Sequence, residues 1–109
     1  MQKYEIITDQ NDENYGHIVA LTDFSDVKRG DIGGRIDRYD NLSQEGDCWV
    51  HAGAQVRDNA KVYGNASVYG NASVYGDAKI LGEAEVYGNA WVYDNAVVYG
   101  NAKVYDDAE

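Results

Sequence analysis

The sequence predicts an all-β protein, a parallel β-helix of about three to four windings, each made of three hexapeptide units, behind a small N-terminal β cap. Three observations predict it. Alanine recurs every sixth residue from Ala54 to Ala108 without a break, and a Val or Ile stands two places after each alanine from Ala54 to Ala102. Glycine, asparagine and aspartate concentrate in the two places between units, and the chain has no proline. Small and branched apolar residues that alternate with outward ones mark a strand buried on one face. Gly and Asn tolerate the left-handed backbone region, so each Gly-Asn pair turns a corner. Strands this short cannot satisfy their own backbone groups and must pair with equivalent strands one winding away.

The elements follow in chain order. A strand is predicted near Lys3 to Thr8, a polar turn through Asn11 to Gly16 and a second strand near His17 to Thr22, together a hairpin. Gly30, Gly33 and Gly34 lie among Asp26, Asp31 and Asp37, which reads as a loop. It lacks the Gly-Lys-Ser/Thr ending of a phosphate cradle. Ile36 and Leu42 fall in phase with the alanines and hint at a degenerate first winding before Cys48, which itself holds an alanine place. Residues 1–47 are read as the cap and residues 48–109 as the β-helix.

Outward from this frame, Tyr63, Tyr69, Tyr75, Tyr87, Tyr93, Tyr99 and Tyr105 hold the place before the turn, interrupted only by Leu81. A winding of three units stacks Tyr69, Tyr87 and Tyr105 on one side, Tyr75 and Tyr93 on another, and Tyr63, Leu81 and Tyr99 on the third. Stacked aromatics stabilise adjacent strands, and tyrosine also serves interface cores. Trp91, outward and one winding beyond Ser73, is the best single contact residue, and Val97 is a second outward apolar group. The candidate interaction surface is therefore Tyr69, Tyr87, Tyr105, Tyr75, Trp91, Tyr93 and Val97.

Composition excludes several functions. Nineteen acidic against nine basic residues give a net charge of −10, which opposes direct binding to nucleic acid or to an anionic membrane and favours a basic protein partner. There is no apolar run of about 18 residues and no secretory signal pattern, so the expected location is the cytoplasm. Cys48 is the only cysteine and His17 and His51 the only histidines, so no disulfide, zinc site or cofactor is expected. The acidic residues Asp23, Asp26 and Asp31 do not have the spacing of a calcium loop.

The unbroken units, such as Val62-Tyr-Gly-Asn-Ala66-Ser67, resemble the hexapeptide-repeat β-helix family. That resemblance implies a left-handed coil, an exception to the usual right-handed crossover. The stretch from Leu21 to Gly34, with Asn41 to Val50, is similar to the leader of small bacterial and phage members of unknown function. Many members of the family are acyltransferases that use a histidine from an extruded loop, but no insertion interrupts residues 48–109. The reading is a non-catalytic interaction or assembly module, homodimeric through an open C-terminal end, with the acidic finish Asp106-Asp-Ala-Glu109 limiting growth. Two alternatives stand beside it. One is an acidic, phage-encoded inhibitor that blocks the basic groove of a nuclease or defence complex, and the other an acyltransferase-like ligand binder at a subunit interface.

Overall fold

The computed structural model describes residues 2–9, 12–24 and 26–105, with the backbone alone for residues 8, 9 and 12–15. Alternation places the valines and alanines inside, and short strands stack in three parallel ladders. The first strands are β1 (Tyr4–Asp9), β2 (Asp12–Ala20) and β3 (Ile32–Ile36). The repeats follow as β4 (Trp49–Val50), β5 (Gln55–Val56), β6 (Lys61–Val62), β7 (Ser67–Val68) and β8 (Ser73–Val74). The rest are β9 (Lys79–Ile80), β10 (Glu85–Val86), β11 (Trp91–Val92), β12 (Val97–Val98) and β13 (Lys103–Val104).

One ladder runs β3-β5-β8-β11, a second β4-β7-β10-β13 and the third β6-β9-β12. Parallel pairing of Val50 with Val68, Val68 with Val86 and Val86 with Val104 fixes each of these windings at three hexapeptide units. The outward strand and corner residues from Trp49 to Tyr87 donate their N–H groups to carbonyls of the next winding, as Ser67 does to Ala84 at 3.0 Å and Tyr69 to Val86 at 2.9 Å. Val56, Val68, Val74, Val86 and the alanines from Ala60 to Ala90 are fully buried. Their apolar surface, removed from water at roughly 25 cal/mol per Å², drives the stack.

The corners turn as the Gly-Asn pairs require. Gly64, Gly70 and Gly82 have φ near +70°, and a Cβ on Gly70 would stand 2.9 Å from the Gly88 nitrogen. Asp58 and Asp94 take the same left-handed conformation without being glycine, at φ of 59° and 57°. The Asp58 carboxylate accepts the Gly76 N–H of the next winding at 3.1 Å, which ties this corner to the one stacked on it.

Three sequence expectations are corrected. Ile36 and Leu42 pair with Val56 and Val62, not with alanine places, because the first winding is longer than those that follow. Two extra residues between Leu42 and Cys48 shift the phase. Gly33 and Gly34 are in β3, not in a loop: a Cβ on Gly34 would overlap the Ala54 and His51 carbonyl oxygens, so only glycine lets this strand close on the winding. The polar segment read as a turn through Asn11 to Gly16 is mostly strand, since β2 begins at Asp12. Asn11 itself and the acidic finish at residues 106–109 lie outside the described residues.

The hairpin forms. β1 and β2 pair antiparallel with Ile6 opposite Ile18, and β2 continues onto the edge of β3. The cap thus extends one ladder of the β-helix and folds across its first winding. Tyr4, fully buried, stacks on Tyr39 at 5.7 Å and meets the edge of Trp49 at 6.3 Å. Phe24 closes on the other side of Trp49 at 5.4 Å, so Trp49 is buried although its place in the repeat is outward.

Where the first winding departs from the repeat, Asn41 replaces the missing ladder. It is fully buried at the end of a short 3₁₀ turn, Tyr39–Asn41. Its Oδ1 accepts the N–H groups of Asp37 at 2.9 Å and Arg38 at 3.0 Å. Its Nδ2 donates to the carbonyls of Asp58 at 3.2 Å and Ala60 at 2.8 Å. All of its hydrogen-bonding capacity is used.

Candidate functional site

The outward tyrosines follow from the strand period: each succeeds an inward Val or Ile and so points away from the core. Tyr69 and Tyr87 stack at 4.8 Å and 3°, Tyr87 and Tyr105 at 5.4 Å and 11°, and Tyr75 and Tyr93 at 5.4 Å and 10°. Two aromatic columns form. The first is continued by His51, edge-on to Tyr69 at 5.8 Å, and the second by the Arg57 guanidinium, 4.9 Å over the Tyr75 ring. On the third corner Leu81 separates Tyr63 from Tyr99, so the side chains there alternate aromatic, aliphatic, aromatic.

The Tyr69 hydroxyl reaches the Glu85 carboxylate at 3.5 Å, and Lys103 pairs with the same carboxylate at 3.5 Å. Burial first, and then the neighbouring Glu85 charge, raise the Tyr69 pKa. His51 is half-buried, and burial lowers its pKa against a weaker opposing pull from Asp26.

Trp91 lies opposite Ser73 in register and is 49% exposed, and Val97 lies opposite Lys79 and is 52% exposed. The structure places them on adjacent ladders of the last winding, with Tyr93 at the corner between. Beside them the interior opens. A recess of about 250 Å³ is lined by Trp91, Val92, Tyr93, Ala96, Val98 and Val104. Ala96 and Ala102, the last alanines described, are exposed, whereas each alanine from Ala54 to Ala90 is buried. Of the proposed surface, Trp91 and Tyr93 line this recess, while Tyr69, Tyr87 and Tyr75 belong to the columns that lead toward it.

The acidity is not uniform. Lys61 and Lys79 lie directly opposite each other on the β6-β9-β12 ladder, and with Arg38, Asp40, Asn59 and Asp77 they line a recess of about 360 Å³. Among the described residues no group of three His, Cys, Asp or Glu is placed to hold a metal ion, and no helix is long and apolar enough to cross a membrane.

Sequence reasoning named Trp91 and Tyr93 but not the inward Val92, Ala96, Val98 and Val104 that complete the recess. Its walls are ordinary repeat residues, and only their position in the last described winding uncovers them.

No family model matches the chain. Over 62 residues it is 37% identical to the uncharacterized acetyltransferase YdcK of Escherichia coli (strain K12), in a stretch that takes in 47% of this chain and 19% of that protein. The chain spans about a fifth of the length of the curated relative it matches. That likeness and the stacked windings of three units each fit a hexapeptide-repeat β-helix.

Proposed function

We propose that this chain is a rigid protein-binding and assembly module, and that the recess of its last described winding is where a second copy docks. The observation that carries the reading is the change along one column: Ala78 is buried and Ala96, one winding on, is exposed beside Trp91, Val98 and Val104. Four large apolar side chains, Trp91, Val97, Tyr99 and Tyr105, are about half exposed or more around it. Apolar area gathered on one described winding is the kind of surface that pairs with its like. The two tyrosine columns give the stack a stiff, wide flank for a further protein partner, and the net charge of −10 favours a basic one.

Light scattering over a concentration series tests this, with a dimer expected. Ala96→Glu, which puts a charge on an exposed rim position, is expected to weaken association at least about tenfold, roughly 1.4 kcal/mol, without lowering the monomer's unfolding midpoint. A wild-type chain that stays monomeric at high concentration sinks the docking role.

A second reading is favoured by the name of the relative and by the burial that lowers the pKa of His51: acyl transfer at a site completed between copies. In that case His51 acts as the base, since a neutral imidazole is the form that accepts a proton. Calorimetric titration with acetyl-CoA separates the two. No heat is expected under the first reading, whereas saturable heat at micromolar concentration, with turnover lost in His51→Ala, establishes the second.

A further inference from the structure

We propose that Lys3 and Cys48 form an oxidative modification site, at which a hydroperoxide drives formation of a covalent bond between Lys3 Nζ and Cys48 Sγ. Lys3 immediately precedes β1 and Cys48 immediately precedes β4, 45 residues apart, yet Nζ stands 3.4 Å from Sγ. The amine is pinned. It donates to the Cys48 carbonyl at 2.7 Å and the Gly46 carbonyl at 3.2 Å, and lies 4.8 Å from the centre of the Phe24 ring. Cys48 is fully buried and Lys3 is 6% exposed. A lysine is almost never buried unless it is paired, and here the side chain at contact distance is a thiol.

The chemistry balances in two steps. The hydroperoxide gives one oxygen to sulfur, its O–O bond breaks, and the thiol becomes a sulfenic acid as hydrogen peroxide leaves as water. The neutral amine then attacks sulfur, the S–N bond forms, and hydroxide departs with the amine proton as a second water. Sulfur is oxidised by two electrons, peroxide is reduced, and the protein loses two hydrogens. Burial lowers the Lys3 pKa, against the opposing pull of Cys48, and so enlarges the fraction of amine that carries the free electron pair.

Burial also raises the Cys48 pKa, so the first step is slow compared with that of an exposed thiolate. The second is fast, because the amine already stands in contact with the sulfur. Sγ lies against the carbonyls of Ser43 and Glu45, beneath a segment whose residues Glu45, Gly46 and Asp47 are exposed. Local opening of that segment admits a molecule the size of hydrogen peroxide. The product staples β1 to the first winding and closes a loop of 45 residues, so the thermal midpoint rises by something on the order of 10 °C.

The test treats the full chain with hydrogen peroxide, alkylates it under denaturing, non-reducing conditions and maps the peptides by mass spectrometry. The expected product is lighter by two hydrogens, resists alkylation and yields one linked pair of peptides containing Lys3 and Cys48. Dithiothreitol releases it. A Cys48 that remains open to alkylation, or that gains two or three oxygens while Lys3 stays free, overturns the proposal. Lys3→Arg keeps donors for the two carbonyls but not the nucleophile, and is expected to send Cys48 to the sulfinic acid. If that variant does not fold, the wild-type peptide map decides the matter by itself.

Discussion

Val74→Asp is expected to lower the unfolding midpoint by roughly 20 °C or more, while Ser73→Asp, one residue earlier on the same strand, leaves it close to that of the wild type. Val74 is fully buried between Val56 and Val92, its register partners in the neighbouring windings. A carboxylate there meets only apolar neighbours, and an uncompensated buried charge costs about 3–5 kcal/mol. A small domain has about 5–15 kcal/mol in all, and a chain of this size lies toward the lower part of that range. Ser73 points outward between Gln55 and Trp91, where a carboxylate stays solvated and changes stability by no more than about 0.5 kcal/mol. Far-UV circular dichroism and a thermal melt of each variant are sufficient to compare them. Equal damage from the two substitutions is incompatible with the alternation on which the stack rests.

The interior of the repeats was legible because it is written at a fixed distance along the chain. Six residues set the place of each valine, and the columns Val50–Val68–Val86 and Val56–Val74–Val92 needed no knowledge of the cap. The phase failed where the distance changed. Counting back by sixes put Ile36 and Leu42 with the alanines, whereas the longer first winding sets them under Val56 and Val62. A lengthened winding carries no repeat signal of its own, so periodicity alone cannot register it. The stacking of Tyr69 on Tyr87 and of Tyr75 on Tyr93 was legible for the same reason as the core. The burial of Trp49 was not, because Phe24 and Tyr4 reach it from elements far away in sequence. Lys3 is the sharpest case. Nothing in the period of the repeats pairs it with a residue 45 places away, and only the fold of the cap brings it against Cys48.

Asn41 shows how much of the irregular first winding depends on one side chain. Four backbone groups of residues 37, 38, 58 and 60 are satisfied by its amide, in a place where the ladder of the later windings has no counterpart. Asn41→Ala removes all four partners at once. Each buried polar group left unpaired costs about 1–3 kcal/mol, so even with partial relaxation the loss is expected to reach about 3–5 kcal/mol. Asn41→Asp is the more telling variant. Its carboxylate still accepts from the N–H groups of Asp37 and Arg38 but turns its second oxygen on the carbonyls of Asp58 and Ala60, which repel it. That repulsion and burial both raise the carboxyl pKa in the folded state above its unfolded value near 3.9. The folded form then binds more protons than the unfolded form, so the variant's deficit relative to the wild type shrinks as pH falls from about 7 to 5. Asn41→Ala has no such proton to bind and keeps the same deficit across that interval. Urea unfolding of the three proteins at both pH values measures the difference directly. A deficit of Asn41→Asp that does not change with pH would mean that the side chain leaves its buried position when charged, and that the amide is not what closes the first winding.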